Sequence, residues 1–224
     1  MNIAVIGAKG KLGSTIVDEL LIQKHNPIPL DKEDKIKEIN FSSCEAVIDA
    51  SHHKNSINVA KICRNYKIPL LIACTGHTER EIKKIKQICN KIRHEICPNL
   101  SHGINQIIEF IKQIPSDINY ISSIYEQHNK TKIDSPSGTA LWLQKILDAN
   151  NKTQTEIVSS RFSNSIGTHT ITLEFDDEII QISHQVKSRI PFAKGAVRKI
   201  ENLVNCQVLP GVMSDITDKN YAQS

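Results

Sequence analysis

The densest chemistry in the sequence lies in one run, Glu126-Gln127-His128-Asn129-Lys130-Thr131-Lys132-Ile133-Asp134-Ser135-Pro136-Ser137-Gly138-Thr139-Ala140. Pro-Ser-Gly-Thr-Ala reads as the opening of a helix, whose hydroxyls and free amides form an anion site suited to a carboxylate or a phosphate. His128 and Lys132 stand just upstream on a predicted polar loop, His128 to Ser137. They offer a group that titrates near neutrality and a fixed cation. An isolated Ser-Gly-Thr would be only a capped helix behind a surface loop. The lysine, the histidine and the proline converging on it argue for a site. The scattered histidines (His25, His52, His53, His77, His94, His102 and His184) show no metal-ligand spacing, so no metal is expected.

A second constellation opens the chain. Gly7-Ala8-Lys9-Gly10-Lys11-Leu12-Gly13 joins a predicted strand to a predicted helix. Gly7 permits the tight turn, Gly10 lets backbone amides approach a pyrophosphate, and Gly13 allows close helix–strand contact. The spacing is GxxGxxG rather than GxGxxG, so its weight comes from its place in the first strand–helix unit. Asp31 ends the second predicted strand, about 18 residues past Gly13, where a carboxylate can accept hydrogen bonds from ribose hydroxyls and favours NADH. Lys32 follows and could offset the 2′-phosphate of NADPH, or be one more exposed lysine. Both cofactors are expected to bind.

The elements that position these residues fall into two patterns. Short apolar runs alternate with helical ones over the first hundred residues. Strands are predicted at 2–6, 28–30, 46–48, 69–73 and 95–97, with helices at 12–22, 56–66 and 79–91. Such alternation implies βαβ units and a Rossmann-type doubly wound parallel sheet. From about Leu100 the pattern becomes helix (104–114), alternating strand (118–125), polar loop, helix (138–147), polar linker (150–155), two strands (169–175 and 178–186) and a last helix (192–203). This reads as a C-terminal α+β domain with an open mixed sheet. The expected boundaries are 1–99 for the dinucleotide-binding domain, with 205–224 packing back on it, and 100–204 for a substrate-binding and oligomerisation domain.

Composition narrows the function classes. The chain has 224 residues, 39% hydrophobic and 23% charged, enough to bury a real core in one large or two small domains. The net charge of +4 comes from lysines and arginines spread along the chain, a solvated surface rather than a nucleic-acid interface. A basic pocket for an anionic substrate also fits it. The six cysteines (Cys44, Cys63, Cys74, Cys89, Cys97 and Cys206) have irregular spacing and no CxxC pair. They argue against a zinc ribbon or a disulfide framework and for reduced thiols in the cytoplasm. No signal peptide and no bilayer-spanning run is read.

The 126–140 run resembles the signature of the 4-hydroxy-tetrahydrodipicolinate (dihydrodipicolinate) reductase family, Glu-x-His-His-x-x-Lys-x-Asp-x-Pro-Ser-Gly-Thr-Ala. Every fixed position matches except the second histidine, here Asn129. The resemblance covers nearly the whole chain in order. It takes in the Gly-rich loop, Asp49, Thr75-Gly76, Pro98-Asn99-Leu100-Ser101-His102-Gly103, Gly167-Thr168-His169 and Ser188-Arg189-Ile190-Pro191-Phe192-Ala193-Lys194-Gly195-Ala196. It implies reduction of a cyclic unsaturated dicarboxylate by NADH or NADPH on the route to diaminopimelate and lysine, and a homotetramer formed through the second-domain sheet, with Thr170 to Val186 at the interface. It implies His128 as general acid, and Lys132 as a carboxylate ligand that also keeps His128 oriented. Asn129, Ser137, Gly138 and Thr139 would bind substrate. Gly7, Lys9, Gly10, Lys11, Leu12, Gly13, Asp31, Lys32, Ala50, Ser51, Cys74, Thr75, Gly76, Pro98, Asn99 and Leu100 would hold the cofactor.

Three departures from the family pattern are visible. Asn129 keeps hydrogen-bonding capacity without charge, which lowers the expected carboxylate affinity. His52-His53 replaces a Thr or Ser followed by an apolar–proline step, and Arg161-Phe162-Ser163 lacks the glycine usual after that arginine. Two other readings share the nucleotide half. An aspartate dehydrogenase-like oxidoreductase gives no reason for Lys132 ahead of Pro136-Ser137-Gly138-Thr139. A non-catalytic NAD(P)-binding homologue is favoured only by Asn129 and has no use for His128 and Lys132.

Overall fold

The computed structural model describes residues 1–32, 34, 39–97, 99–150 and 153–206. In chain order the elements are β1 (Asn2–Ile6), α1 (Lys11–Ile22), β2 (Asn26–Leu30), β3 (Ala46–Asp49), α2 (His53–Tyr66), β4 (Leu70–Ile72), α3 (Glu79–Ile88) and β5 (His94–Ile96). They continue with α4 (His102–Gln113), β6 (Ile121–Asn129), α5 (Gly138–Asn150), β7 (Glu156–Ser163), β8 (Gly167–Glu174), β9 (Ile179–Val186) and α6 (Ile190–Asn205). The described chain divides into two units, residues 1–100 with 192–206, and residues 101–191.

The first unit is a five-stranded parallel sheet in the order β2-β1-β3-β4-β5, the doubly wound sheet expected. Its central strands, β1, β3 and β4, are largely apolar on both faces because helices cover both. Ile3, Val5, Ala46, Ile48 and Leu71 pack with Ile16 and Leu20 of α1 and with Ala193, Ala196, Val197, Ile200 and Leu203 of α6. The alternate residues Ala4, Ile6, Val47, Leu70 and Ile72 pack with Val59, Ala60 and Cys63 of α2 and Ile85 of α3. Thr78 and Glu81 cap α3 reciprocally. β1 lies between β2 and β3, so the connections leave it in opposite directions. That reversal opens a crevice at the strands' carboxyl ends, the usual ligand position in such sheets.

The second unit is a mixed sheet in the order β7-β6-β8-β9, with β6 and β7 parallel and the other neighbours antiparallel. Its period-2 pattern buries one face, where Ile124, Ile171 and Leu173 meet Ile104, Ile108 and Ile111 of α4 and Ala140, Leu143 and Leu147 of α5. The other face carries Ile121, Tyr125, Val158 and Ile179, all exposed.

Two sequence expectations need correction. The run Glu156–Ser163 was not read as a strand, yet it forms β7, with a ladder to β6 from a distant part of the chain. The last helix was assigned with residues 100–204, but its apolar face is built into the core of the first unit. Arg93 also donates to the carbonyls of Val204 and Cys206, at 2.6 and 2.7 Å. The expected docking of the tail falls on residues 207–224, outside those described.

Candidate active site

In the first unit the glycine loop runs from β1 into α1. Gly7 has φ +82°, and a Cβ there would lie 2.8 Å from the Ala50 carbonyl oxygen. A Cβ on Gly13 would lie 2.0 Å from the Gly7 carbonyl oxygen, so only hydrogen fits where helix and loop touch. Gly10 N–H donates to Gly7 O at 3.0 Å and Gly10 caps α1, leaving the amides of Lys11, Leu12 and Gly13 without intrahelical acceptors. The Asp31 carboxylate accepts from the amides of Lys32 and Lys9, both at 2.8 Å. These two amides hold its pKa below the ordinary aspartate value.

A cavity of about 740 Å³ lies over these residues, and Gly7, Gly10, Asp31, Lys32, Ala50 and Ser51 line it, with Asp34, His52 and Asn55. The cradle at Gly7 and Gly13, the open helix end and the fixed carboxylate suit a dinucleotide. The other expected cofactor residues take different places. Gly13 packs on Gly7, Lys9 fixes Asp31 through its amide, Lys11 starts the helix, and Leu12 is half-buried against the core. Thr75 and Gly76 lie in an exposed irregular segment, with Gly76 at φ +95°. Asn99 and Leu100 are buried, and Pro98 lies outside the described residues.

Cys74 joins a polar knot that sequence reading missed. Asp49 is fully buried at the end of β3 and accepts from Ser56 Oγ at 2.7 Å and Ser51 N–H at 3.1 Å, while Ser56 Oγ meets His77 Nε2 at 2.9 Å. The Cys74 thiol lies 3.3 Å from Ser56 Oγ. Burial and the Asp49 charge push its pKa up to about 12, so it is a neutral thiol.

In the second unit His128 is the penultimate residue of strand β6, not on the loop expected from sequence. Period 2 places Glu126 and His128 on the covered face, fully buried and 6% exposed. His128 Nδ1 bonds Glu126 Oε2. Glu126 Oε1 accepts from Arg161 Nη2 at 2.7 Å and from Ser137 N–H at 3.3 Å. Burial pushes the Glu126 carboxyl up, but the Arg161 hydrogen bond and the nearby cations outweigh it and leave the pKa below the ordinary value. His169, opposite Glu126 in the β6–β8 register, sits with its ring centroid 5.2 Å from that of His128. Burial lowers the His169 pKa to about 3, so its ring is neutral.

Ser137 caps α5, accepting from Ala140 N–H and meeting His169 Nε2, both at 3.2 Å. Its hydroxyl is thus turned inward, 1% exposed, and the Gly138 amide donates to the Asp134 carboxylate. The Lys132 ammonium, expected to orient His128, pairs with Asp134 Oδ1 at 2.8 Å, while the ring's direct hydrogen bond is to Glu126. Asn129 Oδ1 accepts from the Thr131 amide at 3.1 Å and shapes the turn after β6. The donor atoms of Glu126, His128 and His169 lie within 4.8 Å of one another. The Arg161 guanidinium on the same carboxylate makes this grouping better suited to proton handling than to a cation.

Models of the N-terminus and the C-terminus of dihydrodipicolinate reductase match residues 1–100 and 103–217. The chain belongs to the dihydrodipicolinate reductase family. It is 32% identical over 206 residues to the 4-hydroxy-tetrahydrodipicolinate reductase of Thermosipho africanus, covering 92% of each chain. It is 30% identical to that of Caldanaerobacter subterraneus subsp. tengcongensis, covering 98% of this chain and 99% of the other. Its fold matches a dipicolinate-bound dihydrodipicolinate reductase from Paenisporosarcina sp. TG-14 with a TM-score of 0.75, at 17% identity over 91% of this chain and 94% of that one. Within this dihydrodipicolinate reductase fold, sequence reading gave no role to Glu126, Arg161 or His169. All three stand in stretches that carried the resemblance or were noted as departing from it, but only the strand register brings them to His128.

Proposed function

We propose that this protein reduces 4-hydroxy-tetrahydrodipicolinate, the hydrated form of dihydrodipicolinate, to tetrahydrodipicolinate in diaminopimelate and lysine biosynthesis. The observation that carries the reading is the buried Glu126–His128 pair beside the Ser137-Gly138-Thr139 helix opening, within a chain of this family. The bound nicotinamide cofactor, NADH or NADPH, supplies hydride. The first unit holds it through the glycine loop and the amides of α1, with Asp31 and Lys32 at the ribose. Asp31 and Asp34 both face that cavity, and two carboxylates repel a 2′-phosphate, which supports NADH as the better cofactor despite Lys32. His128 donates the proton that completes the reduction, to the developing enamine nitrogen or neighbouring carbon, a contribution of about a hundred- to ten-thousandfold. Lys132 and Asn129 hold one substrate carboxylate, and the helix opening at Ser137, Gly138 and Thr139 holds the other.

The exposed sheet face with Ile121, Tyr125, Val158 and Ile179 supports assembly into a homotetramer. Among the described residues no helix is long and apolar enough to cross a membrane, in keeping with a cytoplasmic enzyme and a small-molecule substrate. The deciding experiment follows oxidation of NADH, and separately NADPH, with substrate generated in situ by a dihydrodipicolinate synthase. Turnover with NADH at least equal to NADPH is expected. Binding of both cofactors with consumption of neither would overturn the reading in favour of a non-catalytic homologue.

A further inference from the structure

We propose that Glu126, clamped by Arg161, is a positioning residue that fixes the tautomer of His128 and makes Nε2 the proton-donating atom. The proposal rests on the assignment of His128 as the acid. An ionised carboxylate accepts hydrogen bonds and donates none, so the proton in the Glu126–His128 bond belongs to Nδ1. Glu126 is kept ionised by Arg161, whose guanidinium is itself tied to the carbonyls of Asp134 at 2.6 Å and Ser160 at 2.8 Å. One fully buried carboxylate therefore joins β7, the start of α5 and the His128 ring.

With Nδ1 committed, Nε2 is the working nitrogen, and it lies close against Gly167, where a side chain would crowd it. A Cβ on Gly167 would lie 2.9 Å from Nε2. In the imidazolium form the Nε2–H bond breaks as its proton passes to the substrate. The ring returns to neutral with Nδ1–H still on Glu126, and solvent reprotonates Nε2. The groups around the ring divide by sign. Burial, Lys132 from the loop and Arg161 from β7 disfavour the imidazolium, and His169 of β8 faces it as a neutral ring. Glu126 favours it. Removing that charge makes the imidazolium lose its proton at lower pH, and so lowers the pH at which activity disappears.

The test compares wild type with Glu126→Gln and Glu126→Asp in the coupled assay across pH 5 to 9. Glu126→Gln is expected to lower kcat about a hundredfold with KM within about threefold. The alkaline limb of its pH profile should move down by about one unit or more, and Glu126→Asp, which keeps the charge, should restore the limb. A purely structural role would lower stability and leave the limb in place, and that result overturns the proposal. An inactive wild type would instead sink the reductase reading, so the two failures are distinct. Imidazole nitrogen NMR of the wild-type protein decides the tautomer without any variant. A neutral His128 protonated at Nδ1 is expected, and protonation at Nε2 would refute the assignment.

Discussion

At the scale of single residues, the proposed site separates side chains assigned to the substrate from those that hold them in place. His128→Ala is expected to lower turnover by about a hundred- to ten-thousandfold while leaving NADH affinity within about twofold, because the ring lies in the second unit and the cofactor cradle in the first. Titration calorimetry beside the coupled assay checks both halves, and unchanged turnover would remove His128 as the acid. His128 and Lys132 were legible in the sequence because they share one short run with the helix opening. The expected second task of Lys132, orienting the ring, is proposed here for Glu126, which bonds the ring while Lys132 pairs with Asp134. Two residues of separation on a strand place Glu126 beside His128 on one face, a relation hidden as long as His128 is read as part of a loop. His169 was beyond reach for a different reason, since its place opposite Glu126 depends on a strand register that spacing along the chain does not encode.

At the scale of elements, the loop between β1 and α1 shows the tightest coupling between sequence and function. Gly13→Ala would set a methyl carbon 2.0 Å from the Gly7 carbonyl oxygen, a backbone atom that cannot rotate away. The loop must shift, at a cost of about 1–3 kcal/mol, and the shift spoils the cradle. NADH affinity is expected to fall by about tenfold or more together with the thermal midpoint. Retained affinity would show that the close approach is not used for binding. The parallel strands were readable because continuous apolar runs bounded by turns admit few alternatives. β7 was not, because Glu156-Ile157-Val158-Ser159-Ser160-Arg161-Phe162-Ser163 is mostly polar and follows a polar linker. Its strand character comes from the ladder with β6, a tertiary effect that outweighs local preference.

For the whole molecule, burial sets the response to acid. His77, His94, His128, His169 and His184 all have pKa values pushed below 6.5 by burial. Below that pH the unfolded chain binds protons that the folded chain refuses, so stability falls as pH drops. For His169, neutral down to about 3, the loss approaches about 1.4 kcal/mol per pH unit over that window. The urea midpoint is expected to be lower at pH 5.5 than at pH 7.5, and the reverse order would contradict the burial of these rings as neutral groups. The placement of α6 also bears on the order in which the chain can fold as it is made. Residues 101–191 are one continuous stretch, whereas the nucleotide unit needs Ala193, Ala196, Val197, Ile200 and Leu203 to close one face of its sheet. Synthesis delivers those side chains only after residues 101–191. Domains commonly fold N-terminal first as they leave the ribosome. Here the first hundred residues emerge with Ile3, Val5 and Ile48 still lacking their α6 partners, and the stretch that carries His128 has every one of its own strands and helices available before the nucleotide unit does.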